Sequence, residues 1–142
     1  MISDLRVKEL RKVLLEKGLA EYLGTYRLSS GETIPAIAVL KSYDQQYPPA
    51  GTEVTGLEAV LMFPQIKPMA MLGGHDVQLT WYLFLKQWNF NESTAIAVQS
   101  LVSAINKLNY VNLENIFTNP SNQTKNQPET VRIELTTYRF II

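Results

Sequence analysis

The side chains able to do chemistry are few and scattered. The sequence holds one histidine, His75, in the run Gly73-Gly74-His75-Asp76, and no cysteine. An imidazole held in a turn against a carboxylate can act as a base near neutral pH. No motif sets a nucleophile beside it, and a tetrahedral zinc site would need further imidazole or thiolate ligands. Asp44, Glu53, Glu58 and Asp76 are the carboxylates that a fold can bring together as acid and base, since such a dyad needs proximity in space and no fixed spacing in sequence. The glycines form neither a dinucleotide fingerprint nor a phosphate loop, because Gly73-Gly74 leads into a strand pattern and not a helix. No cofactor and no metal are expected.

Aromatic residues make the second group. Trp81, Tyr82, Phe84 and Trp88 lie within one segment, and aromatic faces on a sheet can stack bases or sugars. Thirteen basic residues balance thirteen acidic ones, and no basic cluster is interleaved with the aromatics, so the chain offers little field to a phosphate backbone or an anionic membrane. Neither a nucleic acid nor a membrane is expected as partner. Trp81 suits a core, whereas the outward-facing Tyr82, Phe84 and Trp88, together with Tyr47 and Tyr138, are candidates for a protein interface.

The stretch from Asp76 to Asn109 must position these residues. Val77, Leu79, Trp81, Leu83 and Leu85 alternate strictly with Gln78, Thr80, Tyr82, Phe84 and Lys86, the pattern of a strand. Both faces are apolar in its middle, so something must cover each side. A break at 88–91 follows, in which Asn89 or Asn91 can cap a helix. In that helix Val98, Leu101, Val102, Ile105 and Leu108 form an apolar stripe, and Gln99, Ser100, Ser103, Asn106 and Lys107 form a polar, nearly uncharged side expected to face solvent.

Around this spine the other elements are short. Ser3 and Asp4 open a helix whose apolar side includes Ile2, Leu5, Val7, Leu10, Val13 and Leu14, and Gly18 closes it. TYRL and ETIPAIAVLKSY flank Ser29-Ser30-Gly31 as a hairpin, with Pro35 at the start or edge of the second strand. Residues 44–56 make a long polar loop with Pro48-Pro49; LEAVLMF from Leu57 is an apolar strand, after which Pro64 and Pro68 punctuate the chain. VNLENIF is a short strand, 118–129 a second polar loop, and Val131, Ile133 and Leu135 alternate with polar residues in a last strand. No run approaches the about 18 apolar residues of a membrane span. The charged start, MISDLRVKELRKVLLEKG, does not resemble a secretion signal, so a cytoplasmic location is expected.

These features describe an α+β fold, one domain over 1–142, with two helices packed on a mainly antiparallel sheet. The order of elements resembles the small tail-terminator or tail-completion proteins of tailed bacteriophages. The likeness is carried by IPAIAVL, QLTWYLFLKQW leading directly into STAIAVQSLVSAINKL, and the closing VRIELTTYRF. It implies a structural protein, not an enzyme, that forms a ring, hexameric in expectation, caps the tail tube and joins it to the head. Its partners would be copies of itself and the tail-tube and head-joining proteins, and its final location the virion. The 44–56 insertion and the proline-punctuated 64–74 segment depart from that pattern. The alternative reading is a small-ligand or carbohydrate-binding domain, or a hydrolase with dispersed carboxylates, opening around Tyr82, Trp88 and His75.

Overall fold

The computed structural model describes residues 8–40, 51–62, 65–68 and 76–140; the side chains of 40, 67–68, 76–77 and 138–140 lie outside that description. Tyr47, Asp44 and His75 fall outside the described residues, as do Ser3 and Asp4 at the start of the first helix.

The sheet is built on two long strands, β7 (Asp76–Gln87) and β9 (Glu129–Phe140), antiparallel over their full length with Trp81 facing Leu135. Strand β5 (Leu57–Met62) pairs with one half of the outer side of β7, and β6 (Gln65–Pro68) with the other half. Leu61 faces Leu83 and Gln65 faces Thr80, so the register along β7 slips by one residue between them. Thus the segment between Pro64 and Pro68, read from sequence as punctuation, contains a strand, and Pro68 closes it. Strand β8 (Val111–Asn119) pairs with the far side of β9, with a bulge between Leu113 and Asn115. Strand β3 (Ile37–Leu40) runs parallel to β5 at the opposite edge. The order is β3-β5-β7-β9-β8, and all other pairings are antiparallel.

One face of this sheet carries the helices. The first, α1 (Arg11–Lys17), continues from helical residues 8–10 and is wound as a π-helix, with Gly18 N–H donating to Val13 O at 3.0 Å. The second is α2 (Ala95–Asn106). Leu10, Leu14, Leu15 and Leu19, with Ala97, Leu101 and Ile105 of α2, are buried against Leu79, Trp81, Leu83, Leu85, Ile133 and Leu135. Each buried leucine of this kind contributes about 1.5–3 kcal/mol. The indole N–H of Trp81 donates to Thr137 Oγ1 at 2.9 Å, which satisfies its polar atom inside the core.

The buried line of α2 runs through Ala97, Leu101 and Ile105; Leu101 and Ile105 belong to the expected stripe, and Val98 is half-buried at its margin. Two other expectations for α2 are corrected. Ser100, assigned to the polar side, donates to Gly18 O at 2.6 Å and joins the two helices. There an added Cβ on Gly18 would lie 3.2 Å from Ala104 Cβ and 2.6 Å from Leu14 O, so glycine permits the close approach. The cap is also displaced from Asn89 and Asn91: Thr94 N–H and Oγ1–H both donate to Glu129 Oε1, at 2.8 and 2.5 Å. A carboxylate from β9 therefore sits at the start of α2, where it favours the helix dipole.

The other face is covered by a small sheet of order β2-β1-β4, with β1 (Thr25–Arg27), β2 (Thr33–Pro35) and β4 (Glu53–Thr55). The β1–β2 hairpin turns at Gly31, whose φ of 91° suits glycine. Pro35 lies in the outer strand, where its missing donor costs no pairing. Strand β4 corrects the reading of 44–56 as loop throughout: Glu53–Thr55 pairs residue for residue with β1. The chain steps between the two sheets at Gly24, Ala36 and Gly56. Gly24 N–H donates to Leu57 O, Ala36 N–H to Gly24 O and Trp88 N–H to Gly56 O. A Cβ on Gly24 would fall 1.8 Å from Thr55 O, so only glycine fits the crossing.

Candidate functional site

The face opposite Trp81 answers the question posed by the doubly apolar strand. Tyr82 and Phe84 are half-buried and pack, with Ile34 and Val54, against the buried Tyr26, Ala36, Ala38, Val60 and Met62. Strand β5 is buried along its whole length, because helices cover one side of it and the small sheet the other.

Beneath the small sheet lies Glu58, 6% exposed. It accepts the Tyr26 hydroxyl proton at Oε2, 2.5 Å, and the Trp88 indole N–H at Oε1, 3.0 Å. A buried carboxylate requires such donors. The arrangement ties β1, β5 and the end of β7 together, and it fixes the plane of the half-buried Trp88 ring. Glu53, by contrast, is exposed on β4, and the Asp76 backbone pairs with Phe140 on the main sheet.

Trp88 forms one wall of a cleft of about 640 Å³, and the turn between β8 and β9 forms the other. Lys86, Asn119, Ser121, Asn122 and Gln127 contribute polar groups to it. The turn, within the stretch expected to be a polar loop, is closed by reciprocal bonds: Asn122 N–H to Gln127 O at 2.8 Å and Gln127 N–H to Asn122 O at 2.9 Å. Asn122 Oδ1 accepts Lys125 N–H at 3.3 Å, and Asn126 holds a left-handed conformation, φ 53°.

Further along the same face, beyond the small sheet, Arg132 lies over two aromatic rings, 4.4 Å from the Phe117 centroid and 5.9 Å from that of Tyr82. Asn115 Nδ2–H donates to Glu134 Oε2 at 3.0 Å, and Thr136 Oγ1–H to Glu114 Oε1 at 2.7 Å. Phe117 is 46% exposed and its neighbour Ile116 40%. These residues escaped the sequence reading because VNLENIF has the texture of an ordinary strand, and its place at the sheet edge depends on long-range pairing. Tyr138 stands opposite Gln78 on β9, away from Trp88 along the strand.

Among the described residues, no group of three or more histidine, cysteine, aspartate or glutamate side chains could hold a metal ion, and no helix is long and apolar enough to cross a membrane. Comparison with protein-family models and with curated proteins finds no match for the chain.

Proposed function

We propose that this protein is a structural component of a phage or phage-derived tail, a tail terminator that assembles with copies of itself into a ring, caps the tail tube and joins it to the head. One observation carries the reading beyond the resemblance in element order. Strand β8 is an edge of the main sheet, nine residues long. Its sequence, VNLENIFTN, has neither lysine nor proline and a single charge, Glu114, and it exposes Ile116 on one face and Phe117, beneath Arg132, on the other. Monomeric proteins blunt such edges with short strands, charges or proline, because unpaired N–H and C=O groups recruit another strand. The bulge at Glu114 interrupts only part of it. An edge unpaired among the described residues and regular beyond its bulge suits a chain whose edge is covered on assembly, and aromatic and arginine side chains are the types that anchor protein interfaces.

Sedimentation velocity over a range of concentrations, with and without tail tubes, tests the reading. The wild type is expected as a discrete oligomer or bound to tubes, and Ile116→Lys/Phe117→Lys as a monomer with an unchanged melting temperature. A wild-type monomer that binds no tube refutes it.

A further inference from the structure

We propose that the cleft between Trp88 and the 119–127 turn, which adjoins the end of β8 beyond Ile116 and Phe117, is a binding site for a neutral oligosaccharide. The Trp88 ring is held by its inward bond to Glu58, itself buried and bound by Tyr26, so the ring is presented in one orientation before any ligand arrives. Its N–H is already used, which leaves the aromatic surface as what it offers to a ligand. The opposite wall is held by the two-way pairing of Asn122 with Gln127.

Among the described residues, the side chains of Asn119, Ser121, Gln127 and Lys86 make no hydrogen bond or ion pair. Amides and hydroxyls both donate and accept, which matches a ligand whose hydroxyl groups do the same. A pyranose also has an apolar C–H face that can lie flat on an indole. An aromatic wall facing a few free polar groups is the composition expected of a small-molecule site. A nucleobase would stack equally well, but its phosphates need cations, and Lys86 is the only charged side chain lining the cleft among the described residues.

The test is a titration of the intact protein with maltohexaose, chitohexaose and cellohexaose, followed by tryptophan emission and by calorimetry. Trp81 is wholly buried, so a change in emission reports on Trp88. Saturable binding of at least one of these sugars is expected, insensitive to salt and weakened about tenfold or more in the exposed-site variant Asn119→Ala/Gln127→Ala. Circular dichroism of that variant confirms that its fold is retained. No saturable change with any of the three sugars up to about 10 mM overturns the proposal, since weaker affinity is no specific site. So does binding that survives in the variant, or salt-sensitive binding of a thymidine decamer in place of the sugars.

Discussion

Replacing Tyr26 with phenylalanine removes the polar tie between the two sheets, and a double-mutant cycle with Glu58 separates that tie from the other interactions of Tyr26. The ring is wholly buried and would keep its packing, so the substitution deletes one hydroxyl and little else. The loss falls on Glu58, which is 6% exposed and would retain Trp88 Nε1–H, at 3.0 Å, as its remaining side-chain donor among the described residues. A hydrogen bond to a charged group contributes about 1.5–3 kcal/mol, and a buried acceptor left short of donors costs a similar amount. Tyr26→Phe should therefore lower stability by about 2 kcal/mol, a large fraction of the about 5–15 kcal/mol of a domain this size. Urea denaturation measures it as a fall in midpoint at constant slope. In a double-mutant cycle with Glu58→Gln the two losses should be coupled by about 1 kcal/mol or more. Tyr22→Phe, at an exposed ring, is the control and should be neutral. If Tyr26→Phe proves as stable as the wild type, or if the cycle shows no coupling, Glu58 is not the joint between the layers.

Other substitutions examine the remaining contacts. Leu101→Ala, at a fully buried position of α2, should cost about 3 kcal/mol, whereas Val98→Ala, at a half-buried one, should cost under about 1.5 kcal/mol; equal losses in urea denaturation would place Val98 as deep in the core as Leu101. Gly24→Ala drives a Cβ into Thr55 O and should lower the melting temperature by about 8 °C or more, while melting like that of the wild type would mean that the two strands do not cross there. Glu129→Ala removes the acceptor for Thr94 and should speed amide exchange in the first turn of α2, with a loss of about 1–2 kcal/mol; unchanged exchange would assign the cap elsewhere.

The elements most legible in the sequence were those with strong local pattern. The alternation from Leu79 to Leu85 and from Val131 to Leu135 gave both long strands their buried faces, and the hairpin around Gly31 announced its own turn. The α+β class follows from those elements. What escaped the reading depends on distant partners. Glu53–Thr55 is a strand because β1 lies beside it, and Ser100 is turned inward because Gly18 allows two helices to approach. Thr94 is bonded by a glutamate from the last strand, a relation that no local capping pattern contains. Of the candidate site, the sequence marked Tyr82, Phe84 and Trp88 as aromatics and Glu58 among the carboxylates, but not Tyr26, nor that Tyr26 and Glu58, from two other strands, pack and tether that group. Phe117 and Arg132 meet only through the pairing of β8 with β9.

The proposal of self-assembly through β8 is tested most directly by hydrogen exchange along Val111–Asn119. In an antiparallel edge strand the amides alternate, one set bonded to β9 and the other directed outward. In the wild-type assembly both sets should be protected, and in Ile116→Lys/Phe117→Lys the outward set should exchange freely while the inner set stays slow. Outward amides that exchange freely in the assembled wild type would contradict pairing through this edge.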